Sequence, residues 1–291
     1  MKIENKQNIM NAWLKSIRLL NAVGLGVAVA IIRFSYFGDD MGWLFVVPVV
    51  CIAAGGAMIN DYFDIKEDRI RKPDSARIGR VIKRRVAMMS HWVLTGMGLM
   101  VAMVLSVQID NISPFIIAAV AAFLIFIYSI WLKKKVVMGK LGLATTVTLI
   151  VPFALYDVLM DVKDDRYLVM CLMIFSIVFV RQISKELEGV EDVEGVEGVK
   201  VDEASVIRRS WAVIYVMEVV IVAIVWNAIS IVSVMPPKVF LSLTQSPLEI
   251  FFRITLLATI YFSVRKKATA LSSWLKLMLA TGLIWLAVGG S

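Results

Sequence analysis

Residues that bind transition metals or form disulfides are nearly missing from this chain of 291 residues. It contains one histidine, His91, and two cysteines, Cys51 and Cys171. A metal site built from histidines is therefore excluded, and we expect His91 to have a structural role at a helix end. Both cysteines lie in apolar runs, which favours small packing residues over a disulfide. The first apolar run lacks the short form and small-residue cleavage site of a signal peptide, so we expect it to remain as the first helix.

Charged residues are scarce as well, at 19% of the chain, whereas 59% is hydrophobic and the mean hydropathy is +0.81. Soluble domains average about 45–50% apolar residues, so this composition indicates an integral membrane protein. Nine apolar runs approach the roughly 20 residues that cross a bilayer. They occupy about 13–34, 42–60, 86–108, 112–132, 139–159, 166–183, 210–233, 245–264 and 270–289. The sequence predicts an all-α, polytopic membrane protein with about nine transmembrane helices in one domain, residues 1–291.

The net charge of +8 would suit nucleic-acid binding, but the distribution of the basic residues argues against it. If the N-terminus is cytoplasmic, all but five of the 31 lysines and arginines lie in inside segments: 1–18, 61–85, 133–140, 181–209 and 265–276. This asymmetry follows the positive-inside rule. We therefore predict no nucleic-acid partner and a multi-pass protein of the plasma membrane. Its N-terminus and its two long polar loops, 61–85 and 184–209, are predicted to be cytoplasmic.

An acidic cluster follows the second apolar run. It comprises Asn60, Asp61, Asp64 and Asp68, which we call the first acidic motif. At 100° per residue these side chains fall within a sector about 100° wide on one helix face. Three carboxylates so close to a membrane are costly unless a cation lies between them. Oxygen ligands without thiol or imidazole favour Mg²⁺. An alternative is an ordinary hydrated helix end whose acids pair with nearby basic residues.

A second acidic stretch follows the sixth apolar run, at residues 181–192, and we call it the second acidic motif. Four of its side chains would share a stripe about 60° wide if the sixth helix continues through them: Arg181, Lys185, Glu188 and Asp192. From 187 to 201 the sequence repeats every three residues, as LEG-VED-VEG-VEG-VKV. That period fits neither a helix nor a strand, and glycine weakens helices. A solvated loop over 193–201 is therefore the alternative.

Two acidic clusters with many lysines and arginines suit a metal-bound diphosphate better than a metal alone. The metal bridges carboxylate and phosphate oxygens, while basic side chains neutralise the remaining charge. Polarisation of the bridging oxygen makes diphosphate a good leaving group. If the bound chain is allylic, its departure leaves a carbocation, which surrounding apolar helices would protect from water.

The segment 60–73, NDYFDIKEDRIRKP, resembles the N-D-x-x-D-x-x-x-D signature of the UbiA superfamily of intramembrane prenyltransferases. The resemblance covers essentially the whole chain. It implies nine helices around a central cavity, with Mg²⁺ and a prenyl diphosphate held by two Asp-rich motifs near the cytoplasmic face. The runs 71–73 and 79–85 look most like one branch of the superfamily and its bacterial relatives. That branch transfers geranylgeranyl to the hydroxyl of geranylgeranylglyceryl phosphate, in membrane lipid biosynthesis.

The resemblance also implies a role for individual residues. The catalytic acids would be Asp64, Asp68 and Asp192. The first metal would be held by the first acidic motif: Asn60, Asp61, Asp64 and Asp68. A second metal would be held by the second acidic motif: Glu186, Glu188 and Asp192. The diphosphate would be bound by basic residues and a tyrosine: Lys72, Arg77, Tyr128, Lys133, Lys134, Arg181 and Lys185.

The second acidic motif departs from the family pattern, which reads roughly R-E-I-x-K-D-I-E-D-x-E-G-D. Residues 181–186 match its first half and 190–195 its second half, with 187–189 inserted between them. Glu186 then replaces the first Asp, and Asp192 keeps the middle one. This predicts an intact first metal site and an altered second one, with changed substrate choice or weakened activity.

Two other functions stay open from the sequence. One is a prenyltransferase of the same fold with an aromatic acceptor, as in quinone biosynthesis. The other is a non-catalytic binder or transporter of divalent cations or lipid phosphate, which the altered second acidic motif favours. A soluble prenyl-diphosphate synthase is disfavoured by the nine apolar runs.

Overall fold

Helices account for nearly all of the structure, a computed structural model. It describes residues 10–37, 42–71, 77–156, 165–191, 247–265 and 267–288, together with 210–211, 213–215, 217–218 and 221. The helices are α1 Met10–Ser16, α2 Leu19–Phe37, α3 Gly42–Phe63, α4 Ile65–Arg71, α5 Arg84–Gln108, α6 Ser113–Ile130, a 3₁₀ turn Leu132–Lys134, α7 Val136–Thr148, α8 Ile150–Ala154, α9 Asp165–Glu191, α10 Pro247–Val264 and α11 Ala268–Val288. No strand occurs in these ranges, which confirms the predicted all-α class.

Membrane-crossing length is reached by several of these helices. Five helical stretches are long and apolar enough to span a bilayer, or six if α1 and α2 count as one bent span. The predicted runs coincide with helices to within a few residues wherever the structure describes them. The run 210–233 lies mostly outside the described residues, so nine helices in total stays a prediction.

Two details differ from the sequence prediction. The first apolar run is not one straight helix, because α1 and α2 are separated by a break at 17–18 and bent by 49°. The predicted polar loops 61–85 and 184–209 are not loops throughout, because helices extend into the start of each. Residues 60–71 belong to α3, the junction Asp64 and α4, and residues 181–191 belong to the end of α9.

The chain divides into two compact units. The first comprises Met1–Gly142 and Leu149–Tyr156, and the second comprises Leu143–Thr148 and Asp157–Ser291. The first unit holds α1 to α6, the 3₁₀ turn and α8. The second unit holds α9, α10 and α11. A single domain over the whole chain stays a prediction.

In the first unit, α3 is packed between α5 and α6, and glycines permit the close approach. A Cβ on Gly55 would lie 2.6 Å from the Thr95 hydroxyl of α5, and one on Gly56 would lie 2.5 Å from Ile125 of α6. Small residues of this kind let membrane helices pack closely. The arrangement fixes α3, whose last turn carries Asn60 and Asp61, the first two residues of the first acidic motif.

His91 lies within this packing rather than at a helix end as predicted. It is about two turns inside α5 and almost completely buried. Its Nδ1 lies 3.0 Å from the Gly55 carbonyl oxygen, and its ring stacks on Phe126 with centroids 6.0 Å apart. Its role is structural, as expected, but it acts by joining α3, α5 and α6.

The second unit contains the corresponding close contact at Gly282 of α11. A Cβ there would lie 2.8 Å from the ring of Phe252 on α10 and 3.0 Å from the Met173 methyl group on α9. Three helices therefore meet at one glycine, and this packing supports α9, which carries the start of the second acidic motif.

Replacing Gly98 with alanine should destabilise the first unit by about 1–3 kcal/mol, the usual cost of overpacking. The added Cβ would lie 2.8 Å from the Ile52 side chain and 3.0 Å from the Pro48 carbonyl oxygen. Gly96 of the same helix is the matched control, because a Cβ there has nothing within 4 Å. Thermal unfolding in detergent should show a lower midpoint for Gly98→Ala and an unchanged or higher one for Gly96→Ala. Equal midpoints would contradict this account of the α3–α5 contact.

Candidate functional site

The first acidic motif lies on one nearly continuous helical path. α3 ends at Phe63 and α4 begins at Ile65, so Asp64 occupies the junction. Its N–H donates to the Asn60 carbonyl oxygen at 3.1 Å, and the Asp68 N–H donates to the Asp64 carbonyl oxygen at 2.8 Å. These are the i to i−4 bonds of an α-helix. The four side chains therefore follow the helical spacing from which a common face was predicted.

Asp64 holds two polar partners. The Asn60 amide nitrogen donates to its Oδ2 at 2.9 Å, and the Lys133 ammonium pairs with its Oδ1. The Lys133 side chain is 15% exposed and that of Asp64 is 20% exposed, so this ion pair is largely shielded from solvent. A charge pair in such a position is stronger than one in bulk water.

Lys133 reaches the motif because the chain turns sharply after α6. It lies in the 3₁₀ turn Leu132–Lys134, against which the start of α7 packs. A Cβ on Gly139 would lie 2.8 Å from the Leu132 carbonyl oxygen and 3.1 Å from the Lys133 Cα. Glycine at this position is what allows α7 to approach the backbone of the turn.

Asp61 has a basic partner from the break between α1 and α2. The Arg18 guanidinium donates to its Oδ1 at 3.1 Å, across 43 residues. Asp61 also interacts electrostatically with Asp68 and with Arg77. Sequence reasoning missed Arg18, because it counted this arginine only among the basic residues that set membrane orientation. Nothing in its local spacing points to Asp61.

Arg77 opens a tight turn that is anchored on the core. Its carbonyl oxygen accepts from the Val81 and Ile82 N–H groups at 2.9 and 3.1 Å. Gly79 has φ +85°, a left-handed conformation that suits glycine. The side chains of Ile78 and Ile82 are buried in one cluster with Met58 of α3. The turn therefore fixes the backbone of Arg77, whose charge interacts with that of Asp61.

The remaining predicted residues are distributed over both units. Tyr128 is half-buried on α6, and Lys134 is exposed beside Lys133. α9 continues the sixth apolar run as far as Glu191, as the inferred stripe requires, and it carries Arg181, Lys185, Glu186 and Glu188. Lys72 and Asp192 lie outside the described residues, as does the repeat from 192 onward.

In the first unit, two acids of the first acidic motif are each paired with a basic side chain. Within the described ranges, no three acidic, histidine or cysteine side chains are gathered tightly enough to form a ready-made metal site. Instead, Asp61 pairs with Arg18 and Asp64 pairs with Lys133. Such an arrangement can accept a metal ion and a polyanion together, because the acids bind the first and the bases bind the second.

These features define a multi-pass membrane protein with a mixed acidic and basic site at the end of one helix. The chain belongs to the UbiA prenyltransferase family, whose sequence model matches residues 21–280. This match confirms the predicted family and the predicted enzyme class, a prenyltransferase.

The relatives found share one name. The digeranylgeranylglyceryl phosphate synthase of Sulfurisphaera tokodaii is 31% identical over 227 residues, which cover 73% of this chain and 76% of that enzyme. The synthase of the same name from Metallosphaera sedula is 28% identical over 148 residues. In that second alignment the chain spans about half of the relative, 49% of its length.

Solved structures have the same fold. A structure of a digeranylgeranylglyceryl phosphate synthase superimposes with a TM-score of 0.69 at 20% identity, covering 97% of this chain and 99% of that one. A UbiA homologue from Archaeoglobus fulgidus, bound to GPP and Mg²⁺, superimposes with a TM-score of 0.61 at 17% identity, covering 94% and 99%. At these sequence identities, the superpositions show only that the fold is shared.

Proposed function

We propose that the protein transfers a geranylgeranyl group from geranylgeranyl diphosphate to the hydroxyl of geranylgeranylglyceryl phosphate, with Mg²⁺ as cofactor. The observation that carries this proposal is the shielded Asp64–Lys133 pair at the end of α3, beside Asp61 and Arg77. The name shared by the relatives supports the acceptor. The GPP and Mg²⁺ bound to the A. fulgidus homologue support the donor class and the metal.

The donor set of the first acidic motif fits Mg²⁺. Three carboxylates and one amide lie along one helical path and offer oxygen ligands without thiol or imidazole. Asp64 and Asp68, with Asn60 and Asp61, would hold this ion. A bound Mg²⁺ supplies Lewis-acid polarisation of the diphosphate. Glu186, Glu188 and Asp192 stay the proposed ligands of a second ion.

The basic groups would bind the substrate's phosphates. Lys133 contacts Asp64, and the charge of Arg77 interacts with that of Asp61, so both bases can neutralise charge that builds on the departing diphosphate. The same role is proposed for the other predicted residues: Lys72, Tyr128, Lys134, Arg181 and Lys185. Apolar side chains of the membrane helices would exclude water from the allylic carbon.

The reaction balances with these groups alone. The bond between the allylic C1 and its diphosphate oxygen breaks, and diphosphate leaves with the electron pair. The acceptor hydroxyl oxygen forms the new bond to C1 and passes its proton to the departing diphosphate. We propose that this occurs at the cytoplasmic face of the plasma membrane, where both substrates can keep their charged ends in water and their chains in lipid.

A panel of acceptors tests the proposal. Purified protein in lipid nanodiscs is given Mg²⁺ and labelled geranylgeranyl diphosphate with geranylgeranylglyceryl phosphate, with the same compound methylated at its free hydroxyl, or with aromatic acceptors of quinone biosynthesis. Mass spectrometry should find a digeranylgeranylglyceryl phosphate only in the first reaction. Product from the aromatic acceptors alone would overturn the proposed acceptor. Absence of transfer in every reaction would contradict the enzymatic proposal.

A further inference from the structure

Arg18 occupies an unusual backbone position for an arginine. Its φ is +48°, in the left-handed region that helices normally reserve for a terminal glycine or asparagine. α1 closes at this residue, because the Arg18 N–H donates to the Lys15 carbonyl oxygen at 3.3 Å. α2 starts from it, because the Arg18 carbonyl oxygen accepts from the Ala22 N–H at 3.1 Å. A strained conformation such as this persists only where the surroundings hold it.

Packing on both sides of Arg18 provides that support. Ile17 before it and Ala22 after it are buried in the hydrophobic cluster that also contains Ala54 and Met58 of α3. The same helix carries Asp61 in its last turn. The core therefore sets the separation between the backbone of Arg18 and Asp61, and it keeps the guanidinium within reach of the carboxylate.

The charge of Arg18 is placed where a metal would have to bind. Its guanidinium donates to Asp61 at 3.1 Å, and the Asp61 side chain is 16% exposed while that of Arg18 is 48% exposed. The buried partner is thus the carboxylate, and the arginine reaches it from the solvent side. A cation approaching the same carboxylate must displace the arginine or accept repulsion from it.

We propose that Arg18 is a positioning residue that acts as an internal counter-ion of Asp61, and that it competes with Mg²⁺ for this carboxylate. This rests on the proposed function, in which Asp61 is a metal ligand. In the metal-free protein Arg18 keeps Asp61 neutralised and correctly oriented. Metal binding releases the guanidinium, so Arg18 lowers the affinity of the site for the free ion. The site is thereby biased toward a metal that arrives with diphosphate, whose negative charge compensates the arginine.

Metal affinity in the absence of diphosphate tests this directly. Mn²⁺ serves as the probe, because it takes oxygen ligands and its free concentration can be read by electron paramagnetic resonance. Arg18→Gln should bind Mn²⁺ about two- to fivefold more tightly than the wild type, as expected for removal of a partly exposed ion pair. Arg18→Lys, which retains the charge, should bind as the wild type does.

Two further variants separate this effect from a general change in charge or fold. Arg85→Gln removes one positive charge from an exposed site at the start of α5 and should leave Mn²⁺ affinity unchanged. In an Asp61→Asn background, Arg18→Gln should no longer alter the affinity, because the carboxylate for which it competes is gone.

Each result decides the matter. Tighter binding by Arg18→Gln, with Arg18→Lys like the wild type and no effect in the Asp61→Asn background, supports the inference. Unchanged or weaker binding by Arg18→Gln would overturn it, while Mn²⁺ binding by the wild type would leave the proposed metal site standing. No Mn²⁺ binding by any of the proteins would contradict both the inference and the metal-dependent function.

Discussion

Asp64→Asn should lower the rate of prenyl transfer by about 10²–10³-fold, the usual loss when one preorganised charge is removed from a reaction site. The asparagine keeps the size of the side chain and fits the junction between α3 and α4. It removes the charge that pairs with Lys133 and that would hold the metal. The measurement is release of diphosphate and formation of prenylated product by purified protein in nanodiscs.

Asp110→Asn is the matched control for that variant. Asp110 is exposed in the turn that follows the C-terminal end of α5, and its φ is +52°. Asparagine accepts this left-handed conformation as readily as aspartate does. The control should retain wild-type activity. Full activity of Asp64→Asn would show that the first acidic motif does not carry the chemistry.

Lys133→Ala should lower kcat/KM by about 10- to 100-fold, as expected when a hydrogen bond to a charged group is lost. Two effects contribute to the loss. The diphosphate loses a cation that lies beside the metal ligands, and Asp64 loses the partner that orients it. Steady-state kinetics with varied prenyl diphosphate should show a higher KM together with a lower kcat.

Lys135→Ala is the matched control, because it removes a lysine side chain two residues further along the chain. Lys135 is exposed, and its ammonium lies 3.8 Å from the ring centroid of Trp131. It should change kcat/KM by less than about twofold, since exposed cation–π contacts contribute little. Equal losses in the two variants would indicate that general positive charge matters, rather than the position of Lys133.

The first acidic motif could be located from the sequence because its signal is local. The spacing of Asn60, Asp61, Asp64 and Asp68 is a property of one helix, and an apolar run before it places it at a membrane boundary. The ends of the described helices follow from hydropathy for the same reason. The stripe inferred for the second acidic motif required the sixth helix to continue past residue 183, and α9 does extend to Glu191.

The partners of the motif could not be located in the same way, since they come from distant parts of the chain. Lys133 is 69 residues from Asp64, and Arg18 is 43 residues from Asp61. Lys133 could be named as a site residue only from the family resemblance, because its spacing in the sequence does not point to Asp64. For Arg18 no hint existed, because its left-handed backbone breaks the first apolar run where neither glycine nor proline marks a break.

The secondary structure of the second acidic motif was difficult to predict for a different reason, the triplet repeat that begins at Leu187. A three-residue period has no match in helical geometry, so the sequence left helix and loop as alternatives there. The helix does include the first residues of the repeat, through Glu191. The roles of Glu186, Glu188 and Asp192 therefore stay predictions.

A single-turnover experiment decides whether prenyl transfer depends on a metal held by the first acidic motif. Purified protein is freed of divalent ions, mixed with labelled geranylgeranyl diphosphate and geranylgeranylglyceryl phosphate, and then given Mg²⁺. We expect no product before the addition. Afterwards, diphosphate and digeranylgeranylglyceryl phosphate should appear in equal amounts, and Asp64→Asn should form both about 10²–10³-fold more slowly. Product formation without a divalent ion, or Mg²⁺-dependent product formed equally well by Asp64→Asn, would contradict this dependence.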